Sequence, residues 1–269
     1  MPRASTAQPR GAVRASPGSC WSGCCWRSPN KLRPPGCSPA ARAEPPVPDM
    51  PASSGLLIWY GGTFDPVHEG HLAIARAAAD TFGVPVTLAP AADPPHRQAP
   101  GASAGQRARM LDLAVAGDPR LRVDRRELHR PGPSWTVDTL HDLRQERGRR
   151  APLALLLGAD SFRSLPSWRH WRRLPRLAHL VVAARAAGGG LDDLPAELAA
   201  EVAGRWTDDP RDLARVPAGR CFALRQPLRG ESATAVRRGL ASGDPAAWRG
   251  QLAPAVAAFI EAEGLYRDP

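Results

Sequence analysis

Residues 56–71 read LLIWYGGTFDPVHEGH, an apolar run followed by glycines and two histidines. The apolar run at its start predicts a buried strand over Leu56–Tyr60. Gly61 and Gly62 follow, and their missing Cβ atoms let the backbone approach a ligand closely. A helix is predicted over about Gly70–Phe82. A strand, a glycine-rich loop and a helix in this order offer backbone N–H groups at a helix N-terminus, where phosphate groups bind.

Two histidines lie where this helix begins. His68 and His71 are three residues apart, so their side chains share one face. Two imidazoles in this position can donate hydrogen bonds to phosphate oxygens and stabilise charge that develops at phosphorus. The same pair is also compatible with a zinc site or with helix capping. The stretch lacks the Gly-Lys-Ser/Thr ending of the P-loop and the Gly-x-Gly-x-x-Gly dinucleotide fingerprint, so the residues alone predict a phosphate-handling loop.

Short β-type runs alternate with longer helical patterns after this loop, which predicts βαβ units and a parallel sheet. The further predicted strands are 84–88, 121–123, 153–157, 180–184 and 221–224. The further predicted helices are 105–116, 136–147, a broken helix over 161–174, 234–241 and 254–263. We therefore predict an α/β fold, a Rossmann-like doubly wound parallel sheet over residues 55–269, preceded by a disordered N-terminal tail over residues 1–54.

The tail is rich in Pro, Arg, Ser and Gly and has no hydrophobic period, which is typical of disorder. It is similar to an organelle transit peptide, but it lacks an amphipathic apolar stripe, and we favour a translation start at Met50. Four of the five cysteines lie in the tail at spacings that fit no common zinc finger. Only Cys221 lies in the body, which is typical of a protein from a reducing compartment, and we expect a cytoplasmic location.

The net charge of +10 is unevenly distributed, because residues 1–49 carry seven basic and two acidic side chains. The body is therefore only mildly basic, which suits a polyphosphate ligand or a nucleic acid and does not choose between them. No apolar run approaches the roughly 18 residues of a membrane span. We expect no membrane partner, and the sequence contains no recognised DNA-reading module.

The full string from Gly61 to His71 resembles the His-x-Gly-His signature of the nucleotidyltransferase superfamily. Its Gly-Gly-Thr-Phe-Asp-Pro part resembles bacterial nicotinate-nucleotide adenylyltransferases, and the resemblance extends over residues 56–267. It implies the HxGH nucleotidyltransferase fold and a reaction of ATP with nicotinate mononucleotide that gives deamido-NAD and pyrophosphate. It also implies His68, His71 and Arg237 as catalytic residues, with Mg²⁺ held mainly by the ATP phosphates and no protein metal ligand.

Several segments resemble the ATP-binding side of this family. Gly158-Ala159-Asp160 ends a predicted strand, and Asp160 is implied to bind the nucleotide, with helix capping as the alternative. Ser232–Arg237 resembles a second phosphate cradle that faces the first loop, although Glu231 and Ala233 depart from the family pattern. The implied ATP-binding residues are Gly61, Gly62, Thr63, Phe64, His68, His71, Asp160, Arg185, Ser232, Thr234 and Arg237.

Other segments resemble the acceptor-binding side. Pro94-Pro95-His96-Arg97 resembles the family's Pro-Pro-His-Lys loop, with Arg in place of Lys. Ser134-Trp135-Thr136 resembles Ser-Tyr-Thr and leads into a helix, with Ser134 or Thr136 as the predicted N-cap and N–H groups implied to hold the nicotinate carboxylate. We assign Trp168 to the ligand and Trp171 to the core. The implied acceptor-binding residues are Asp65, His96, Arg97, Ser134, Trp135, Thr136 and Trp168.

Two alternatives remain open at this point. One is an adenylyltransferase of the same superfamily with nicotinamide mononucleotide or phosphopantetheine as acceptor. The Ser-Trp-Thr loop and Trp168 favour instead an acceptor that has a pyridine ring with a carboxylate. The other is a basic nucleic-acid-binding protein that keeps the fold without catalysis, against which His68, His71 and Arg237 argue. The expected partners are ATP and nicotinate mononucleotide, without nucleic acid, and a homo-oligomer is left open.

Overall fold

A computed structural model of the protein describes residues 55–92, 101–185, 191, 193–226 and 230–267, so the predicted tail lies outside the described residues. Within these ranges six parallel strands form one sheet in the order β3-β2-β1-β4-β5-β6. The strands are β1 Leu57–Gly62, β2 Val86–Pro90, β3 Leu121–Val123, β4 Leu153–Gly158, β5 His179–Arg185 and β6 Cys221–Gln226. The predicted α/β class and doubly wound parallel sheet are confirmed.

Helices alternate with these strands along the chain. The α-helices are α1 Glu69–Phe82, α2 Ala104–Val115, α3 Thr136–Arg147, α4 Ala159–Arg163, α5 Leu174–Leu177, α6 Ala196–Val202, α7 Asp212–Arg215, α8 Ala233–Ala241 and α9 Pro254–Glu263. Single 3₁₀ turns span Arg126–His129, Leu165–Ser167, Trp171–Arg173, Pro245–Ala247 and Arg249–Gln251. In the described ranges no helix combines the length and the apolar character that crossing a membrane requires.

The sheet is buried on both faces because its strand side chains alternate between two apolar clusters. On β1, Ile58 and Tyr60 belong to the cluster that also holds buried residues of α1, α2, α8 and α9. Trp59, between them, belongs to the cluster that contains buried residues of α3, α4 and α5. The strands therefore read as nearly continuous apolar runs, which is why they could be predicted.

Some predicted boundaries are wrong. The second strand begins at Val86 rather than Val84, since Pro85 has no N–H with which to join the ladder. The predicted broken helix over 161–174 is divided further, into α4, two 3₁₀ turns and the first residue of α5. Helices α6 and α7 were not predicted, because they span only seven and four residues and provide little periodicity.

The strand order reverses between β1 and β4. In a doubly wound sheet, ligands bind in the crevice outside the carboxyl ends of the strands at this point. Gly61 and Gly62 lie at the carboxyl end of β1, and Gly158 lies at that of β4. The fold thus brings two of the segments singled out in the sequence to the edge where ligand binding is expected.

Candidate active site

The glycine-rich loop at the end of β1 is shaped by two aromatic rings. A Cβ on Gly61 would lie 2.5 Å from ring carbons of Trp59, and a Cβ on Gly62 would lie 3.0 Å from the ring of Phe64. Phe64 itself has a φ of 51°, in the left-handed region. Glycine at position 61 is therefore required by close packing against the indole.

His68 and His71 are held together by the start of α1. His68 is the N-cap residue, and its backbone N–H donates to Nδ1 of His71 at 3.3 Å. The two imidazole centroids are 3.7 Å apart, with an angle of 31° between the rings. Phe64 meets the His71 ring edge-on at 5.0 Å. The prediction that both histidines share one face is confirmed.

The surroundings of the pair hold both imidazoles neutral. Burial lowers the pKa of His71 well below its ordinary value, and neighbouring His68 lowers it further. Because Nδ1 of His71 accepts a backbone N–H, its single proton lies on Nε2, which is a donor. Burial also lowers the pKa of His68 to about 4, opposed by the negative charge of Glu231. Within the described residues, Nδ1 of His68 is buried without a hydrogen-bond partner.

The pKa of His68 predicts a pH-dependent stability. Its value of about 4 lies below the ordinary 6.5, so between these values the folded protein binds fewer protons than the unfolded chain and is destabilised as pH falls. We expect the free energy of unfolding to drop by about 2–3 kcal/mol more for the wild type than for His68→Gln between pH 7 and pH 4.5. Urea titrations at both pH values measure this difference, and equal drops in the two proteins would contradict it.

Arg237 approaches the same loop from α8. Its Nη1 donates to the backbone carbonyl of Asp65 at 2.6 Å and lies 3.9 Å from the Asp65 carboxylate. The carbonyl oxygen of Glu231 lies 3.5 Å from where a Cβ of Gly70 would be. Ser232 caps α8 by accepting the N–H of Ala235 at 3.1 Å. The N-terminus of α8 therefore lies against the loop that carries the histidines, while the ligand contacts of Ser232 and of exposed Thr234 stay predictions.

A buried arginine, which the sequence did not reveal, fixes the glycine-rich loop. Arg107 on α2 is completely buried. Its guanidinium donates to the carbonyl oxygens of Thr63 at 2.7 Å, Ala91 at 2.6 Å and Ala102 at 3.3 Å. It thus ties the loop after β1 to the end of β2 and to the start of α2. One feature of the sequence could have indicated this role. Arg107 lies on the apolar face of a predicted helix, and a charge buried there is costly unless it has hydrogen-bond partners.

The acceptor loop leads into α3 without the predicted cap. Trp135 is the N-cap residue and makes no side-chain capping bond, so the predicted N-cap role of Ser134 or Thr136 is wrong. The hydroxyl of Ser134 instead accepts a hydrogen bond from Arg130 at 2.9 Å and bonds the buried carboxyl of Glu127. Glu127 and Arg130 therefore hold this loop through hydrogen bonds to Ser134. Neither residue was singled out from the sequence.

An arginine lies beside the aromatic ring of the acceptor loop. The guanidinium of Arg169 lies 5.3 Å from the ring centroid of Trp135. Trp168 is half-buried against the second core cluster, and its predicted ligand contact stays a prediction. Trp171 is 6% exposed, which confirms its assignment to the core. An arginine beside a partly accessible aromatic side chain, as Arg169 is beside Trp135, can bind a planar ring that carries a negative charge.

Of the remaining predicted residues, only Asp160 has a side chain within the described part of the structure. Asp160 is strongly exposed and its carboxylate lies 3.3 Å from the guanidinium of Arg163. Because Gly158 is the N-cap of α4, the capping alternative for Asp160 is wrong. The backbone of Arg185 ends β5, whereas its side chain lies outside what the structure describes, as do His96 and Arg97. The ligand roles of these residues stay predictions.

Comparison with known proteins shows the family to which the chain belongs. The model of the cytidylyltransferase-like family matches residues 59–239. A Stenotrophomonas maltophilia protein named "Probable nicotinate-nucleotide adenylyltransferase" is 53% identical over 219 residues, which cover 80% of this chain and 98% of the relative. A Xylella fastidiosa (strain M12) protein of the same name is 46% identical over 215 residues, covering 78% and 96%. The chain belongs to the nicotinate-nucleotide adenylyltransferase family.

Solved structures agree on the fold. Plasmodium falciparum nicotinic acid mononucleotide adenylyltransferase complexed with NaAD aligns with a TM-score of 0.61 over 80% of this chain and 98% of that chain. The same enzyme complexed with APC gives a TM-score of 0.59 over the same shares. Sequence identity is 13% in both cases, so these structures support the fold alone.

Proposed function

We propose that the protein transfers the adenylyl group of ATP to nicotinate mononucleotide and releases deamido-NAD and pyrophosphate. The observation that carries this proposal is the pair of stacked imidazoles at the N-terminus of α1, with Arg237 bound to the same loop. This arrangement directs hydrogen-bond donors and a positive charge at a phosphate-binding loop. The names of relatives up to 53% identical over nearly their full length support the same activity.

The proposed reaction needs no covalent intermediate. A phosphate oxygen of nicotinate mononucleotide attacks the α-phosphorus of ATP, and the bond between the α-phosphorus and the bridging oxygen breaks as pyrophosphate leaves. His71 donates through Nε2 to phosphate oxygens, and Arg237 neutralises negative charge on the same groups. The protein contributes alignment of the two substrates and stabilisation of charge in the transition state.

Mg²⁺ fits this site as an ion carried by the substrate. Within the described residues, no group of three or more His, Cys, Asp or Glu side chains could hold a metal ion. The carboxylate of Asp65 is already bound by backbone N–H groups and a tyrosine hydroxyl. We propose that ATP phosphates provide the ligands, and the bound ion would offset phosphate charge.

We further propose that the protein acts in the cytoplasm, since Cys221 is a buried free thiol.

The charges beside the acceptor loop support a carboxylate over an amide. Arg169 lies 5.3 Å from the ring of Trp135 in this loop. Arg130 donates to Ser134 but is paired with the carboxylate of Asp142, so Arg169 is the positive charge that favours an anionic ligand here. The first N–H groups of α3 have no partner within the helix and carry its positive dipole end. A nicotinate carboxylate gains from both features, whereas a neutral carboxamide gains little from either.

An acceptor competition tests this choice. We expect the kcat/KM of the purified protein to be at least tenfold higher for nicotinate mononucleotide than for nicotinamide mononucleotide, a difference of about 1.4 kcal/mol. Pyrophosphate release with each acceptor at a fixed ATP concentration provides the measurement. Equal values, or a preference for the amide, would contradict the proposed acceptor while leaving adenylyl transfer intact.

The same assay tests the alternative of a non-catalytic nucleic-acid-binding protein. We expect added duplex DNA to leave pyrophosphate release unchanged, because the proposed reaction uses only small anionic substrates. Tight DNA binding by a protein that releases no pyrophosphate with either acceptor would favour the alternative.

A further inference from the structure

The carboxylate of Asp65 is the centre of a hydrogen-bond cluster at the glycine-rich loop. Asp65 is 7% exposed. One carboxylate oxygen accepts the N–H of Gly101 at 2.9 Å, and the other accepts the N–H of Ala102 at 3.1 Å and the hydroxyl of Tyr266 at 2.7 Å. Three donors thus direct this carboxylate toward the segment that begins α2.

The tyrosine of this cluster comes from the far end of the chain. Tyr266 follows α9 and has a φ of 61°, in the left-handed region. Its ring covers Gly101, where a Cβ would lie 2.8 Å from the ring. Burial raises the pKa of Tyr266, and its hydrogen bond to Asp65 raises it further, so the hydroxyl keeps its proton and remains a donor. The ring packs on Gly101 and the hydroxyl donates to Asp65, and these two contacts hold the Tyr266 side chain in place.

Arg237 connects this cluster to the proposed reaction. Its Nη1 donates to the backbone carbonyl of Asp65, and the Asp65 carboxylate lies only 3.9 Å away. The nearer oxygen is Oδ2, which also accepts the N–H of Gly101, so this ion pair is a long one. A carboxylate released from its other partners would move closer to the guanidinium and pair with it more strongly. That pairing would compete with ATP phosphates for the positive charge.

We propose that Tyr266 is a positioning residue, whose hydroxyl keeps the Asp65 carboxylate on Gly101 and Ala102 and thereby leaves Arg237 to the ATP phosphates. This inference rests on the proposed function and deepens it. It gives Asp65 a structural part in addition to the acceptor contact that the family resemblance implies. The C-terminal turn thus helps to keep the positive charge of Arg237 accessible to the phosphates.

The test is a double-mutant cycle on the full chain. We expect Tyr266→Phe to lower kcat/KM for ATP by about tenfold, the size expected for one hydrogen bond to a charged group. In the Arg237→Ala background the same substitution should change kcat/KM by less than about twofold, because its effect passes through Arg237. A purely structural role of Tyr266 would lower activity by the same factor in both backgrounds.

Two further readouts separate positioning from misfolding. Hydrogen exchange at the amides of Gly101 and Ala102 should be faster in Tyr266→Phe, while the thermal midpoint should fall by only about 5 °C, the shift expected for one lost hydrogen bond. Arg267→Ala is the matched control, because Arg267 is exposed and donates to the carbonyl of Glu261 at 3.0 Å. This control should keep wild-type kcat/KM.

The outcomes distinguish the inference from the function on which it rests. An active wild type with an unchanged Tyr266→Phe variant, or with equal losses in both backgrounds, overturns the role of Tyr266 and leaves adenylyl transfer standing. A wild type that releases no pyrophosphate overturns the proposed function, and the inference with it.

Discussion

Substitution of His71 by alanine is expected to lower kcat for pyrophosphate release by about 100- to 1,000-fold, the usual cost of removing one donor that stabilises transition-state charge. Nδ1 of His71 accepts the N–H of His68 at 3.3 Å, so Nε2 carries the proton that can be donated. The alanine variant loses both contacts. Steady-state assays with ATP and nicotinate mononucleotide measure the loss.

Two amide variants separate these contacts. His71→Asn retains an acceptor near the Nδ1 position and should restore the start of α1 without restoring activity. His71→Gln retains a donor near the Nε2 position and should recover part of the rate. His141→Ala is the matched control, because His141 is exposed on α3 and its removal should change the rate by less than about twofold. Higher activity in the Asn variant than in the Gln variant would indicate that His71 acts through the helix start.

Substitution of Arg237 by alanine is the second large expected effect. The guanidinium binds the Asp65 carbonyl at 2.6 Å and is about one-third exposed, so it can also reach a ligand. We expect kcat/KM for ATP to fall by at least about 100-fold, because a charge that stabilises phosphoryl transfer commonly contributes this much or more. Arg237→Lys should recover only part of the loss, since an ammonium keeps the charge without the planar fork.

The adjacent arginine provides the control for this experiment. Arg238 lies on the same helix and is exposed, so Arg238→Ala changes net charge equally but removes no contact with the loop. We expect its kcat/KM to stay within about twofold of the wild type. Equal losses in Arg237→Ala and Arg238→Ala would assign the effect to the overall positive potential.

The sheet could be predicted because burial on both faces leaves a direct sequence signal. The runs that became β1 and β4 are nearly all apolar, and each is followed by glycine. Element boundaries were less predictable where a single missing hydrogen-bond donor decides them. Pro85 has no N–H to donate, so β2 begins only after it. The short helices α6 and α7 provide too few residues for a period to appear.

The candidate site divides in a similar way. His68 and His71 could be placed together because three residues on a helix fix their relation. The contacts of Arg107 and Tyr266 could not be predicted, because their partners are distant in sequence: Arg107 binds Thr63, and Tyr266 binds Asp65. No local pattern encodes such pairs. The wrong N-cap has a different cause, because Arg130 and Glu127, which precede Ser134 by four and seven residues, engage its hydroxyl and keep it from the first turn of α3.

The protein is proposed to join an adenylyl group to nicotinate mononucleotide. The most direct measurement is the mass-spectrometric yield of deamido-NAD, with pyrophosphate, from ATP, Mg²⁺ and nicotinate mononucleotide incubated with the purified protein. We predict equal molar amounts of the two products from the wild type, and an initial rate about 100- to 1,000-fold lower from the His71→Ala variant. No deamido-NAD above the level formed without protein, or pyrophosphate formed regardless of whether the acceptor is added, would contradict this activity.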